Sequence, residues 1–310
     1  MAANNEMLEQ KYQKKTDRQH ILDTPDTYIG SVEETEYDTF IIENGENGEN
    51  DSTHRIVKKQ IKIIPGLYKL FDEGIVNCRD HVARMASKGK SKENQHVTYI
   101  DISITEDGVI SMMNDGNGID VEKHPEHQIW IPEMIFGHLR TSTNYDKKEK
   151  KIVGGKNGFG FKLVLIWSEW GEIETYDHIR KKKYVQRFSD NLNEIHTPVI
   201  TKGTGKPYTK VTFKPDYKRF GIPGGNLTPE MLSLFKRRIY DIAAVTDKKV
   251  IVKMNTIPVE VKTFINYVEM YIGSISGRER AHEESNPRWE YCVALTPSDE
   301  FTQVSFVNGI

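Results

Sequence analysis

Between residues 69 and 84 (KLFDEGIVNCRDHVAR) the polar positions fall into step with a helix. Glu73, Asn77 and Asp80 stand at i, i+4 and i+7, which is one face at 3.6 residues per turn, and Arg84 lies one turn further along. Leu70, Ile75, Val76 and Val82 hold apolar positions on the other sides, so the spacing predicts a helix packed on a body with carboxylates and an amide facing a cavity. Taken alone, the same stripe describes a solvated helix face. Period-two alternation predicts strands at residues 40–42, 55–64, 97–104, 109–113, 172–176, 184–188, 208–213, 250–254 and 259–261. The acidic, glycine-rich stretch 43–51 makes the first two a hairpin, and Glu106-Asp107-Gly108 turns the next pair. Helices are predicted over 131–139, 227–242, capped near Thr228, and 264–272. A polar linker over 274–287 then leads to two strands, 288–295 and 302–307, that open a new domain. The whole pattern predicts an α/β (α+β) two-layer sandwich with a mixed, mostly antiparallel sheet.

Two glycine-rich segments interrupt this pattern. The strand at 109–113 runs into Asn114-Asp115-Gly116-Asn117-Gly118-Ile119, where glycine permits a sharp bend and a bare backbone surface close to a neighbour. A lone D-G-x-G is more often a plain turn. The polar loop 140–151 (RTSTNYDKKEKK) leads into 152–162 (IVGGKNGFGFK), where four glycines fall within seven residues just before an apolar run. A glycine-rich turn at a helix start offers unpaired N–H groups and a positive dipole end, the local chemistry that holds phosphate oxygens. It is not a Walker A loop, because Phe161 stands where the lysine belongs, and it is not GxGxxG.

Composition narrows the class. The chain has 310 residues, 37% of them hydrophobic and 28% charged, enough for one large domain and part of another. No apolar run approaches a membrane span, and the polar start shows neither a secretory signal nor an anchor. Two distant cysteines, Cys78 and Cys292, argue for a reducing, intracellular compartment and against a structural metal site. A net charge of -2 gives no global attraction to nucleic acid. Local contact would fall to residues 180–183 (RKKK) or 236–238 (KRR), although charge runs of this kind are more often solvated faces.

The stripe on the helix, the N-D-G-x-G turn and the glycine-rich loop occur in an order that resembles the GHKL (Bergerat-fold) ATPases. The strings YQKKT, PDTYIGS, FDE..VN..D, NDGNGI, PEMIFGHLRTSTNYD, GGKNGFGFKL, YTKVTFKPD, RRIYDIA and QVSFVNGI are similar to the ATPase region of eukaryote-type type IIA DNA topoisomerases, from about Tyr12 to the last residue. Chaperone and mismatch-repair members of the superfamily share the helix and glycine boxes but not TSTNYD or SFVNGI.

The resemblance implies roles position by position. Glu73 would be the general base and Asn77 a Mg²⁺ ligand. Asp115 would accept from the adenine amine, with Asn114, Gly118, Asp80 and, through water, Thr209 around it. Ser142, Thr143 and Asn144 would meet ribose and phosphate. Gly155, Lys156, Asn157, Gly158, Phe159, Gly160, Phe161 and Lys162 would wrap the phosphates, Lys156 and Lys162 adding charge, with Arg84 a further phosphate contact. Tyr12 would reach a second copy of the chain. The implied organisation is an N-terminal strap over residues 1–20, the ATPase domain over 21–272, and a linker with the start of a transducer domain over 273–310, ending before that domain's nucleotide-facing lysine. ATP and Mg²⁺ are the implied cofactors. The implied function is an ATP-operated gate for duplex DNA, in the nucleus or, for a viral enzyme, in a cytoplasmic replication site or virion; the alternatives are a nucleotide-dependent clamp without hydrolysis, or a chaperone or mismatch-repair ATPase. Three departures stand out: Gly74 inside a helix, where it costs roughly 1 kcal/mol against alanine; His81, where relatives often carry Asn; and Phe161, where a small residue is usual.

Overall fold

The computed structural model describes residues 15–44, 54–139, 141, 160–273, 279–286, 289–296 and 300–310. Two short helices, α1 (Asp17–Asp23) and α2 (Pro25–Tyr28), open it, and the Thr16 hydroxyl caps α1 by accepting from the Gln19 N–H. An antiparallel ribbon follows, β1 (Thr35–Asn44) with β2 (His54–Ile63), in register from Thr35↔Ile63 to Asn44↔His54. Pro65 then occupies the first turn of α3 (Pro65–Ser87), where its missing N–H costs no helical hydrogen bond.

The main sheet holds β3 (Tyr99–Ile104), β4 (Ile110–Asp115), β5 (Ser168–Asp177), β6 (Lys182–Ser189), β7 (Glu194–Ile195), β8 (Val199–Lys202), β9 (Tyr208–Pro215), β10 (Ile251–Met254) and β11 (Ile257–Pro258). Its order is β11-β10-β3-β4-β9-β5-β6-β7, with β8 also on β6. Among the described strands β10 beside β3 is the parallel pair and the rest are antiparallel. Helices α4 (Ile131–Gly137), α5 (Gly160–Ile166), α6 (Pro229–Ala244) and α7 (Phe264–Ile272) join α3 in the second layer. The core lies between the layers. Leu67, Leu70, Phe71 and Ile75 of α3 are fully buried with Ile100, Ile102, Ile110 and Phe213 of the sheet, and Phe71 stacks on Phe235 of α6 at 4.1 Å.

The chain's last third departs from the periodicity. The expected linker over 274–287 contains β12 (Arg280–Asn286), paired with β13 (Trp289–Ala294). RAHEESN carries no apolar alternation because the strand is exposed, so only its partner reveals it. Residues 302–307 form no strand; Val304 and Phe306 pack onto the core instead. The expected strand at 259–261 is likewise replaced by β11, two residues earlier, while Val259 and Val261 are buried. Among the described residues no helix is long and apolar enough to cross a membrane.

Candidate nucleotide site

One face of α3 is apolar and buried, and the opposite face carries the predicted stripe. Along it Glu73 and Arg84 are half-buried, Asn77 is exposed and Asp80 is buried. Gly74, the helix-interior glycine, now has a reason. A Cβ there would stand 2.4 Å from the Met112 sulfur of β4 and 3.4 Å from the Phe161 ring of α5. Phe161 in turn fills the space between the layers, edge-on to Phe136 at 5.4 Å and to Phe213 at 5.8 Å. Two of the departures therefore belong to one contact, a small residue on α3 facing a large one on α5. Phe161 serves this packing.

Glu73 stands where α3 meets the start of α5. Its Oε1 lies 2.6 Å from Lys69 Nζ, one turn earlier on the same helix. Its Oε2 is 2.6 Å from the point that a Cβ on Gly160 would occupy. Glycine at 160 thus lets the end of the glycine-rich segment close directly onto the carboxylate.

The N-D-G-x-G turn at 114–118 is built by close approaches. Gly116 has φ +94, and a Cβ on it would meet Val97 at 2.7 Å. A Cβ on Gly118 would fall 2.0 Å from the Tyr176 carbonyl oxygen, so this glycine is needed to bring the turn onto β5. Asp115, buried at the foot of β4, accepts from Thr98 N–H at 2.6 Å, Tyr99 N–H at 3.0 Å and the Thr98 hydroxyl. A carboxylate offers about four lone-pair positions, so three bonds leave it room for one more donor. Asn114 is buried, and its amide donates to the Asp115 carbonyl at 2.8 Å. Thr209 pairs with Asn114 across β4–β9, and its hydroxyl is 3.0 Å from that of Thr175, which also accepts from Ile119 N–H. Asn117 ties the turn to the loop after α3, accepting from Gln95 N–H and donating to the Glu93 carbonyl, both at 2.8 Å. His81 lies against this turn, its Nε2 buried; burial, reinforced by Arg84, pushes its pKa down to about 4.

Lys162 is buried in α5, and its ammonium donates to the Thr141 carbonyl, while the Thr141 hydroxyl donates to the Met134 and His138 carbonyls of the α4 end. Burial pushes the Lys162 pKa down to about 8. Tyr12, Ser142, Thr143, Asn144, Gly155, Lys156, Asn157, Gly158 and Phe159 lie outside the described residues.

The two basic runs serve the fold. Arg180 bonds Asp120, Glu122 and Asp177 at 2.6 to 3.0 Å, and Lys183 pairs with Glu174 at 3.2 Å. Arg238 is buried against Asp72 at 2.7 Å and Arg237 lies 3.5 Å from Asp241. Within the runs Arg180, Lys183, Arg237 and Arg238 are thus engaged by carboxylates of the fold, while Lys181 is exposed.

Periodicity passed over several residues. Lys69 was legible, being four residues before Glu73 on the same face. Thr98 and Thr175 had no local signal, since each joins the site through a side-chain bond to a segment distant in the chain.

As for a metal, among the described residues no group of three or more His, Cys, Asp or Glu is arranged to hold one. The exposed Asn77 amide oxygen suits a hard cation but is a single ligand. Magnesium characteristically takes few protein ligands and completes its shell with water and substrate phosphates, so the donor set fits an ion that arrives with a nucleotide.

A helical layer carrying a Glu-x-x-x-Asn face over a mixed sheet, with an N-D-G-x-G turn at a strand foot, defines a nucleotide-binding ATPase. The family model described as "Histidine kinase-, DNA gyrase B-, and HSP90-like ATPase" matches residues 63–219. The chain is 43% identical to DNA topoisomerase 2 of Acanthamoeba polyphaga mimivirus, over 99% of this chain and 23% of that protein, and 42% identical to that of Arabidopsis thaliana, over 100% and 20%. The crystal structure of the ATPase region of Saccharomyces cerevisiae topoisomerase II superimposes with a TM-score of 0.85 at 43% identity, covering 97% of this chain and 75% of that one. The chain therefore belongs to the ATPase regions of the type II DNA topoisomerases, and it spans roughly a fifth of the length of the curated relatives.

Proposed function

We propose that the chain binds and hydrolyses Mg²⁺-ATP as the N-terminal gate of a type II topoisomerase. Two copies would close on nucleotide binding, with Tyr12 reaching the partner copy, and trap a duplex DNA segment; hydrolysis would reset the gate. Residues 1–20, 21–272 and 273–310 are the proposed strap, ATPase domain and start of the transducer, working inside the cell, in the nucleus or at a viral replication site. The observation that carries the reading is Glu73, whose free oxygen faces Gly160 at the end of the glycine-rich segment.

The residues divide the work. Asp115 has one acceptor position left for the adenine amine, and Asn114, Gly118, Thr209 and Asp80 shape the pocket beside it. Ser142, Thr143 and Asn144 hold ribose and phosphate, and the segment from Gly155 to Gly160, with Lys162 and Arg84, holds the phosphates. Asn77 holds Mg²⁺, which when bound supplies charge neutralisation for the phosphates. Glu73 orients the attacking water and takes its proton.

The test is phosphate release at saturating Mg²⁺-ATP, read beside ATP-analogue affinity. Wild type is expected to exceed Glu73→Ala by about 100-fold or more, with analogue affinity retained, as for loss of a general base. Equal rates in the two proteins reject hydrolysis at this site. If the nucleotide still drives dimerisation, a non-hydrolysing clamp remains.

A further inference from the structure

Lys69 has no role in the site described so far. It lies on the functional stripe of α3, one turn before Glu73, with its ammonium 2.6 Å from Glu73 Oε1. An exposed i, i+4 pair ordinarily does little more than support its helix. Here a second feature gives the pair a direction. Among the described residues, the Glu73 carboxyl is what lies within 4 Å of the Cβ position of Gly160, Oε2 at 2.6 Å and Cδ at 3.6 Å. Gly160 is the first residue of α5. The space left by its missing side chain is filled by the carboxylate. One oxygen of Glu73 is thus held by Lys69, and the other is turned to the start of α5.

We infer that Lys69 is a positioning residue for hydrolysis, acting through Glu73; this rests on Glu73 being the base. By occupying Oε1 it leaves Oε2 as the oxygen that receives the proton, so the carboxylate does not divide its time between two faces. In the step it serves, the water oxygen bonds to the γ-phosphorus as its proton passes to Oε2. The bond from that phosphorus to the β,γ-bridging oxygen breaks, its electron pair leaving on ADP.

The test compares Lys69→Met, which keeps the apolar stem, and Lys69→Arg, which keeps the charge, with wild type and Glu73→Ala. The measurements are kcat, KM, affinity for a non-hydrolysable ATP analogue with Mg²⁺, and thermal unfolding. Lys69→Met is expected to lose about tenfold or more in kcat, with analogue affinity within about threefold of wild type, because an interaction made through the base acts on chemistry rather than on binding. Lys69→Arg should recover most of the rate. Three results overturn the inference while leaving the hydrolytic reading intact: Lys69→Met at half the wild-type rate or better, Met and Arg variants equally slow, or affinity falling in step with kcat. Wild type no faster than Glu73→Ala overturns the hydrolytic reading itself and the role of Lys69 with it.

Discussion

Glycine shows how single residues set this site. Gly118 and Gly74 both leave less room than a methyl group needs, but against different neighbours. At Gly118 the obstacle is the Tyr176 carbonyl, fixed in β5, so Gly118→Ala should destabilise the protein by about 3 kcal/mol or unfold the turn, measured by urea denaturation. At Gly74 the obstacle is the flexible Met112 side chain, and alanine regains roughly 1 kcal/mol of helix propensity, so Gly74→Ala should stay within about 1 kcal/mol of wild type. His81 makes a third case. Its folded pKa of about 4 lies below the ordinary histidine value of about 6.5, so below pH 6.5 the unfolded chain takes up a proton that the folded one excludes. Stability is present in full above that value and is lost as pH falls from about 6.5 to 4. The loss should be on the order of 2 kcal/mol, and His81→Asn should flatten that part of the pH profile, read by urea titrations at pH 7.5 and 5.

Among the elements, α3 carries two jobs on opposite sides. Its functional stripe meets the turn at 114–118 and the start of α5. Its back holds Asp72, ion-paired with Arg238 of α6, and Arg238 also donates to the Gly309 carbonyl at 3.1 Å. Burial opposes the charge on Arg238, but Asp72 outweighs it and raises the guanidinium pKa. Removing one partner leaves the other charged and buried, so Arg238→Ala should cost about 3 to 5 kcal/mol, while Arg238→Met with Asp72→Leu should recover much of it. A double-mutant cycle in urea reads the difference.

In the molecule as a whole, residues 304–310 return to the helical layer after the β12–β13 hairpin. Val304 and Phe306 pack on the core, Phe306 against Tyr267 at 5.9 Å, and Arg79 donates to the Asn308 carbonyl at 2.8 Å. Arg79 and Asp72 flank the proposed site residues Asp80 and Glu73 on α3, so this return segment touches the back of the helix that bears the candidate site. Deleting residues 300–310 should therefore lower stability by about 2 kcal/mol through lost apolar burial and two lost carbonyl bonds, seen as a lower midpoint in urea.

Much of the site was legible because its residues repeat within one helix or one turn. Glu73, Asn77, Asp80 and Arg84 share a face by spacing alone, and Asp115 with Gly116 and Gly118 marks a strand foot by residue type, so local periodicity places them without any partner. The α/β layering and the helices at 131–137, 229–244 and 264–272 followed from the same local rule. Contacts between segments distant in the chain were not available to that rule. Gly74 against Phe161, Asp115 holding the start of β3, Arg238 reaching Asp72 across 166 residues, and the strand hidden in RAHEESN all depend on which surfaces meet. Lys69 stands between the two. Its place on the stripe is a matter of spacing, but its pairing with Oε1 gains a direction only because folding brings Gly160 to the other oxygen.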